Sequence, residues 1–278
     1  MVEALRGLGY STATALADIV DNSITARATR VNLTFSWSGP DSYIAVLDDG
    51  NGMTDAELDG AMRLGETNPL AERTALDLGR FGLGLKTASF SQSRRLTVAS
   101  KKAGEVSCLR WDLDVLAASS DDGWHLLEGP HEGSGPLFDP LQRAQHGTIV
   151  LWEQLDRIVT AKFSEQDFLD LIDVVERHMA MVFHRYLEGP RARLRLSING
   201  RAVAPWDPFL TNHTATWTSP PVPLEAEGGR IYVQCYVLPH KDMLDPRDYD
   251  LAAGPDGWCK RRSNNPSLKR PDNLVAPE

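Results

Sequence analysis

The fold is indicated first by a helical segment that carries two acids and an amide, ADIVDNSI (residues 17–24). Three and four residues make about one turn of an α-helix, so Asp18, Asp21 and Asn22 share one face. Two carboxylates on one face repel each other, and a divalent cation such as Mg²⁺, which prefers oxygen ligands, would offset that repulsion. A solvated acidic face is the alternative. The segment alone leaves both interpretations open.

The second informative segment is DDGNGM (residues 48–53), which follows a predicted buried strand at 43–47. Gly50 and Gly52 allow the backbone to pass close to a ligand. The carboxylate of Asp48, at the strand end, can accept a hydrogen bond from an exocyclic amine. The glycine spacing matches neither the Rossmann fingerprint nor the P-loop. An ordinary Asp/Gly/Asn turn is the alternative.

The third segment is GRFGLGLKT (residues 79–87), a glycine string that leads into a predicted helix near Gly84. Free backbone amides and the positive end of the helix dipole favour phosphate there. Lys86 adds a point charge for a polyphosphate. Residues 65–79 lack periodicity and contain Pro69, which predicts a mobile loop. Such glycine strings also occur in many loops without a ligand.

The pattern along the whole chain predicts an α/β domain (residues 1–189) followed by a smaller β-rich region (residues 190–278), with the boundary near Pro190. We predict helices at 1–8, 11–26 and 164–187, strands at 30–36, 43–47, 95–100, 106–113, 148–152 and 231–238, a hairpin at 193–203, a loop at 211–229 and a disordered tail over the last twenty residues.

Composition narrows the class of protein. The 278 residues carry a net charge of -9, with 42% hydrophobic and 24% charged residues, as in an ordinary globular protein. An acidic chain does not bind nucleic acid with its whole surface; the basic cluster 260–262 is either a local patch or a solvated tail. Cys108, Cys235 and Cys259 lack metal-ligand spacing. Without a signal peptide or a membrane-length apolar run, we expect reduced thiols and a cytoplasmic protein.

The three segments, followed by His146-Gly147-Thr148 on a late strand, resemble in order and separation the four nucleotide-binding boxes of the GHKL superfamily, which contains gyrase, heat-shock chaperones, histidine kinases and MutL. Residues 17–24 and 49–53 are most similar to MORC-like prokaryotic chaperone-like ATPases. The resemblance covers about residues 1–155. It implies a Bergerat fold, a two-layer α/β sandwich with a mixed, mostly antiparallel sheet, followed here by a partial transducer-like region.

The resemblance also implies that ATP and Mg²⁺ are the cofactors. Asn22 would hold the metal ion, Asp48 would accept from the adenine amine with help from Thr148, and residues 65–79 would form a lid. The residues that the resemblance assigns to the nucleotide are Asn22, Asp48, Gly50, Gly52, Met53, Gly79, Gly82, Gly84, Lys86 and Thr148.

One departure from the family pattern concerns the catalytic base. The superfamily usually has glutamate where this chain has Asp18, and aspartate is shorter by one methylene, which is ~1.5 Å. A base displaced by that much can lose on the order of a hundredfold in rate, so we expect slow hydrolysis. Lys241 is a candidate for the γ-phosphate contact of the second domain, with a surface lysine as the alternative. We expect a fragment or truncated member.

Three functional hypotheses follow from the resemblance. The first is an ATPase whose nucleotide closes the lid and drives homodimerisation. The second is an ATP-gated binding module with little or no hydrolysis. The third, a histidine kinase-like phosphotransferase, needs an upstream helical hairpin with a phosphoaccepting histidine. A protein or DNA partner stays open, and a role in defence against foreign DNA follows only by analogy with MORC-like relatives.

Overall fold

The computed structural model describes residues 6–7, 9–63, 84–119, 125–190, 192–226 and 229–253. The chain divides into two compact units, Met1–Asp207 and Pro208–Glu278. The predicted mobile loop at 65–79, most of the predicted helix at 1–8 and the predicted disordered tail lie outside the described residues. Within the described residues, no helix is both long and apolar enough to span a bilayer.

The described part of the first unit contains one eight-stranded sheet with the order β5-β4-β3-β6-β2-β1-β7-β8. Neighbouring strands are antiparallel except for β1 and β7, which pair in parallel. The prediction of a mixed, mostly antiparallel sheet is therefore confirmed. The strands are β1 Arg30–Ser36, β2 Tyr43–Asp48, β3 Arg95–Lys102, β4 Glu105–Asp112, β5 Leu127–Glu128, β6 Gly147–Glu153, β7 Arg195–Ile198 and β8 Arg201–Ala202.

Local sequence signals account for the helix ends. Ser11 caps the first helix by accepting from the backbone of Thr14, and Thr54 forms a capping box with Glu57. The predicted helix at 164–187 is interrupted at Phe183 and forms two helices. The described helices of this unit are α1 Thr12–Thr25, α2 Asp55–Met62, α3 Gly84–Phe90, α4 Leu113–Ala118, α5 Asp139–Arg143, α6 Glu165–Val182 and α7 His184–Leu187.

The core lies between the sheet and the helices. Helix α1 packs against α3 and α6, and alternate residues of the strands, such as Val31, Leu33 and Phe35 on β1, are buried in the same cluster. On the opposite face of the sheet, a short 3-10 turn at Gly135–Phe138 and helix α5 cover a smaller apolar cluster. The arrangement agrees with the predicted two-layer α/β sandwich, with a small additional cover.

The division between the units lies farther along the chain than the predicted boundary near Pro190. Strand β7 continues the first sheet by pairing with β1, so the hairpin around Asn199 and Gly200 belongs to the first unit. Asn199 has φ 48° and Gly200 has φ 79°, the left-handed conformations that a tight hairpin turn requires. The resemblance of the region after residue 190 to a transducer domain stays a prediction.

The second unit contains two strands within a segment predicted to be a loop. These strands, at 217–218 and 222–226, lie within the predicted loop at 211–229. The predicted strand at 231–238 is divided between two strands, which Gln234 and Cys235 separate. Prolines at 220, 221 and 223 interrupt the alternation of apolar and polar residues that would indicate a strand. The elements are β9 Trp217–Thr218, β10 Val222–Ala226, β11 Gly229–Val233, β12 Tyr236–Val237, a 3-10 turn Lys241–Met243 and α8 Pro246–Ala253, with β10 paired to β11 and β12 to β9.

Candidate functional site

The carboxylate of Asp48 lies at the end of β2 and is 7% exposed. One carboxylate oxygen accepts from the backbone N–H of Gly50 at 2.8 Å, and the other accepts from the hydroxyl of Ser23 on α1 at 2.9 Å. Thr148 on β6 lies opposite Asp48 in the sheet. Burial raises the pKa of Asp48, whereas these hydrogen bonds act in the opposite direction. The acid is held in one orientation by partners from the loop after β2 and from helix α1.

The backbone after Asp48 passes so close to other backbone that two glycines cannot carry a side chain. A Cβ atom at Gly52, where φ is +67°, would overlap the carbonyl group of Lys101. A Cβ atom at Gly147, where φ is +137°, would overlap the carbonyl oxygen of Asp48. The segment from Gly50 to Met53 is therefore packed directly onto strands β3 and β6, as expected where glycine permits a close approach.

Two further side chains fix this segment. The hydroxyl of Ser100 on β3 accepts from the backbone N–H of Met53 at 2.8 Å and lies 2.9 Å from the hydroxyl of Thr148. The carbonyl oxygen of Gly50 lies 2.6 Å from Nδ1 of His146, which places the N–H on that nitrogen. The fourth predicted box, His146-Gly147-Thr148, therefore lies against the second box, Asp48 to Met53.

The neighbouring acid, Asp49, has a different role. Its carboxylate accepts from the backbone N–H groups of Thr29 and Arg30, each at 2.7 Å. Together with the side chains of Thr29 and Arg30, these hydrogen bonds more than offset burial, and the pKa of Asp49 is lowered. Asp49 thus ties the end of β2 to the start of β1.

Asp18 lies on α1, half-buried, beside the start of α3. Its Oδ2 atom is 3.9 Å from the position that a Cβ atom at Gly84 would take. Burial, followed by the nearby carboxylate of Asp18, raises the pKa of Tyr10, which lies just before α1, whereas Thr87 on α3 acts in the opposite direction. The first and third predicted segments therefore meet at Asp18 and Gly84.

The other two polar residues of this helical face lie one turn further along α1. Asn22 is exposed. Asp21 is half-buried, and burial, followed by the charge of Asp18, raises its pKa to about 6. Among the described residues, no group of three or more His, Cys, Asp or Glu side chains could hold a metal ion by itself. Any metal ion here would take most of its ligands from a bound molecule and water.

Lys86 lies on α3, and its amine has partners that the predicted role as a phosphate ligand did not include. Its side chain is 1% exposed, and its amine donates to the carbonyl oxygens of Ala61 at 2.9 Å and Arg63 at 2.6 Å, at the C-terminal end of α2. Cations favour this end of a helix. Contact with a phosphate would require these hydrogen bonds to be exchanged, and that role stays a prediction.

Gly79 and Gly82 lie outside the described residues, as does the predicted lid. Lys241 is exposed at the first position of its 3-10 turn in the second unit. Cys108 and Cys235 are free thiols, as expected; Cys259 lies outside the described residues.

Sequence reasoning missed Tyr10, Ser23, Thr87 and Ser100. A signal for Ser100 does exist. Leu96, Val98 and Ser100 share the core-facing side of β3, and a buried hydroxyl at such a position needs a polar partner. Ser23 follows Asn22 directly, but nothing local shows that it faces Asp48.

Comparison with known proteins places this site in a family. Residues 10–148 match the family model described as histidine kinase-, DNA gyrase B-, and HSP90-like ATPase. The chain is 29% identical over 192 residues to the DNA mismatch repair protein MutL of Rhodospirillum rubrum, a match that covers 66% of this chain and 28% of that protein. It is 30% identical over 231 residues to the ATPase morc-1 of Caenorhabditis elegans, covering 69% of this chain and 27% of that protein. The matches thus span less than a third of these relatives.

Proposed function

We propose that this chain, which belongs to the family of histidine kinase-, DNA gyrase B-, and HSP90-like ATPases, binds ATP with Mg²⁺ in a site that extends from Asp48 to Asp18. In that site it would hydrolyse ATP slowly. Membership in this family implies ATP binding. The observation that best supports the assignment to these residues is that one helix, α1, serves both ends of the site. Ser23 holds the carboxylate of Asp48, and Asp18 lies beside Gly84.

Asp48 would recognise the adenine ring. A carboxylate accepts hydrogen bonds and cannot donate, so it selects a base with an exocyclic amine at that position. Its two oxygens offer about four acceptor positions, and the hydrogen bonds from Gly50 and Ser23 do not occupy all of them, so the amine could be accepted as well. Gly52 and Met53 would line the ring because their backbone is fixed beside Asp48, and Gly50 permits the turn.

The phosphates would lie towards Asp18 and the start of α3. Gly84 lies beside Asp18, and Gly79, Gly82 and Lys86 complete the proposed phosphate contacts. The amide oxygen of Asn22, exposed on the same face of α1, would contact Mg²⁺. This small protein donor set fits Mg²⁺, which usually keeps several water ligands and binds substrate phosphates. The ion would neutralise phosphate charge during the reaction.

Asp18 would act as the general base. Its carboxylate would take a proton from a water molecule as the water oxygen bonds to the γ-phosphorus and the bond to the bridging oxygen of ADP breaks. The products are ADP and inorganic phosphate. The shorter side chain of aspartate limits the reach of the base, which is why we propose slow turnover.

Two movements accompany this proposal. ATP would close the segment at 65–79 over the phosphates and would promote homodimerisation, in the manner expected of this family. Sedimentation with a non-hydrolysable ATP analogue and Mg²⁺ tests the dimer directly. An ATP-dependent protein or DNA partner is a proposal by analogy with the relatives, since the chain matches less than a third of their length.

The decisive experiment measures phosphate release and ATP affinity for the wild type, Asp18→Asn and Asp18→Glu. A general base contributes about 10²–10⁴-fold, so Asp18→Asn should lower kcat by at least ~10-fold even from a slow starting rate. Asp18→Glu should match or exceed the wild type, because the longer side chain restores reach. Calorimetric ATP affinity should change by less than ~3-fold in both variants.

Each other outcome identifies a different function. Equal, negligible phosphate release from all three proteins, with ATP bound, would contradict hydrolysis and favour the ATP-gated binding module. An acid-labile phosphoprotein would favour phosphotransfer. A wild type that binds neither ATP nor its analogue in the presence of Mg²⁺ would refute the nucleotide assignment itself.

A further inference from the structure

A groove of about 390 Å³ lies on the face of the sheet opposite to the proposed nucleotide site. Successive side chains of a strand point to opposite faces, so Leu47 of β2 points into the groove whereas the side chain of Asp48 points to α1. Residues of β1 and β7 also line the groove, as do Ala202 of β8 and Ala144, which directly follows α5. Its volume is in the range of small-molecule sites.

Two arginines lie side by side in this groove. Arg30 of β1 and Arg195 of β7 are partners in the parallel register, and both line the groove. Neighbouring strands are about 4.8 Å apart, so like charges at paired positions repel each other. Arg195 is exposed, and among the described residues its guanidinium group has no hydrogen-bond or ion-pair partner. An anion between the two guanidinium groups would remove this repulsion.

Arg30 is already held in place for such an anion. Its Nε–H donates to the carboxylate of Asp49 at 3.2 Å, and its backbone N–H donates to the same carboxylate at 2.7 Å. Within the described part of the chain, the Arg30 side chain has no partner besides Asp49, and a guanidinium group has five N–H donors. Two guanidinium groups and one carboxylate leave a net positive charge. Orienting one arginine in advance lowers the entropic cost of binding.

The other groove residues narrow the class of ligand. Next to the arginines on the same two strands, the hydroxyl of Ser197 donates to the side-chain oxygen of Asn32 at 2.9 Å, so these two polar groups satisfy each other. The arginines therefore supply the donors for a ligand, whose headgroup must be a negatively charged acceptor. Leu47 and Ala202 add apolar surface, which a bare inorganic ion cannot use.

We propose that this groove is a second ligand site, which binds an organic anion. A carboxylate or phosphate group would lie between Arg30 and Arg195, and an apolar part would lie against Leu47 and Ala202. The guanidinium fork suits both headgroups, because its parallel N–H donors match two oxygens at once. The site does not depend on the proposed ATP hydrolysis, since its residues face away from Asp48.

Calorimetric titration of the full chain with three probes tests the site at constant ionic strength. Phenyl phosphate and benzoate share an apolar ring and differ in the headgroup, whereas inorganic phosphate lacks the ring. At least one ring-bearing probe should bind with a Kd of about 1 mM or lower. Inorganic phosphate should bind at least ~10-fold more weakly than that probe. The tighter of the two ring-bearing probes identifies the preferred headgroup.

Substitutions locate the bound probe. Arg195→Gln removes one guanidinium group and should weaken the tighter probe by at least ~10-fold. Arg195→Lys keeps the charge without the fork and should weaken it by about 3-fold. Ala202→Phe fills the apolar part of the groove and should weaken both ring-bearing probes by at least ~5-fold. Phenylalanine is well tolerated in strands, so this variant should keep the fold, which circular dichroism checks.

The matched control is Arg201→Gln. Arg201 is also an exposed arginine of β8, but it pairs with Ile198 and does not line the groove. The same loss of charge there should change the Kd by less than ~2-fold. Equal losses for Arg195→Gln and Arg201→Gln would mean that general charge attraction holds the probe, and would overturn the proposal.

The proposal also fails if neither ring-bearing probe shows saturable binding up to about 10 mM. Binding that Arg195→Gln and Ala202→Phe leave unchanged would place the probe elsewhere, for example in the nucleotide site, and would likewise overturn it. Phosphate release does not enter this test. A chain that binds the anion but releases no phosphate from ATP would refute the proposed hydrolysis and keep the second site.

Discussion

The two ends of the site that α1 connects are built in different ways. At the Asp48 end, backbone packs directly on backbone, and Gly52 and Gly147 leave no space for a side chain. At the Asp18 end, the contact with α3 is made by a side chain, since the carboxylate of Asp18 lies 3.9 Å from the position that a Cβ atom at Gly84 would take. The first end belongs to the sheet itself, whereas the second depends on residues that can be exchanged without altering the sheet.

This difference suggests a division of tasks. Changes at the Asp48 end should affect both folding and the recognition of adenine, because the same atoms serve both. Changes at the Asp18 end should affect the rate and leave the fold intact. Asp18, where the resemblance leads us to expect glutamate, lies at the end where we expect such a change to leave the fold intact.

Gly52→Ala should destabilise the protein more than any other change considered. The new methyl group would overlap the carbonyl group of Lys101, which belongs to β3, and alanine is strained at a φ of +67°. We expect a loss of at least ~3 kcal/mol in the free energy of unfolding. Chemical denaturation followed by circular dichroism measures this quantity.

Gly104→Ala provides the control for Gly52→Ala. Gly104 also has a positive φ, +88°, but a Cβ atom there would meet nothing within 4 Å. Its cost should be limited to backbone strain, roughly 1–2 kcal/mol. If the two variants lose the same stability, then strain alone explains both, and the Asp48 end is less tightly packed than the structure indicates.

Asp48→Asn should abolish the preference for adenine over other purine bases. We expect wild-type protein to bind ATP about 100-fold more tightly than inosine triphosphate, in which the exocyclic amine is replaced by a carbonyl oxygen. The amide of the variant can donate to that oxygen, so the ratio should fall to about 1. Calorimetric titration of both nucleotides measures the ratio, which is insensitive to a uniform loss of affinity. An unchanged ratio would remove Asp48 from adenine recognition.

Sequence reasoning captured the parts of this site that depend on local spacing. The shared face of Asp18 and Asn22 follows from helix periodicity, and the start of α3 at Gly84 follows from the glycine string. The sheet was also predictable in outline, since most of its strands alternate or run as buried apolar segments. These features require no knowledge of what lies far away along the chain.

The contacts that sequence reasoning missed join residues far apart in the chain. Ser23 reaches Asp48 across 25 positions, and Ser100 reaches Met53 across 47. The amine of Lys86 illustrates the same limit, because its residue type suggests a phosphate ligand while its position places it at the end of α2. Pairing of β7 with β1, which moves the division between units, is likewise a tertiary event that local pattern does not reveal.

Asp21→Asn sharpens the comparison through the pH dependence of stability. Burial and the charge of Asp18 raise the pKa of Asp21 to about 6, from an ordinary value of 3.8. The folded state therefore binds the proton more tightly than the unfolded state, and this contribution to stability is lost as pH rises from about 4 through about 6. Since the side chain is half-exposed, solvent screening limits the expected effect to about 1 kcal/mol.

The amide variant should thus be about 1 kcal/mol more stable than the wild type at pH 7.5, without Mg²⁺, and equally stable at pH 3.5. Denaturant titrations at the two pH values check this. A gain that persists at pH 3.5 would mean that repulsion is not its source.

The same acid-to-amide change at Asp48 should instead destabilise the protein, because an amide oxygen cannot replace both carboxylate oxygens as acceptors for Ser23 and Gly50. Opposite signs for one substitution would separate an acid that the fold requires from one that it merely tolerates.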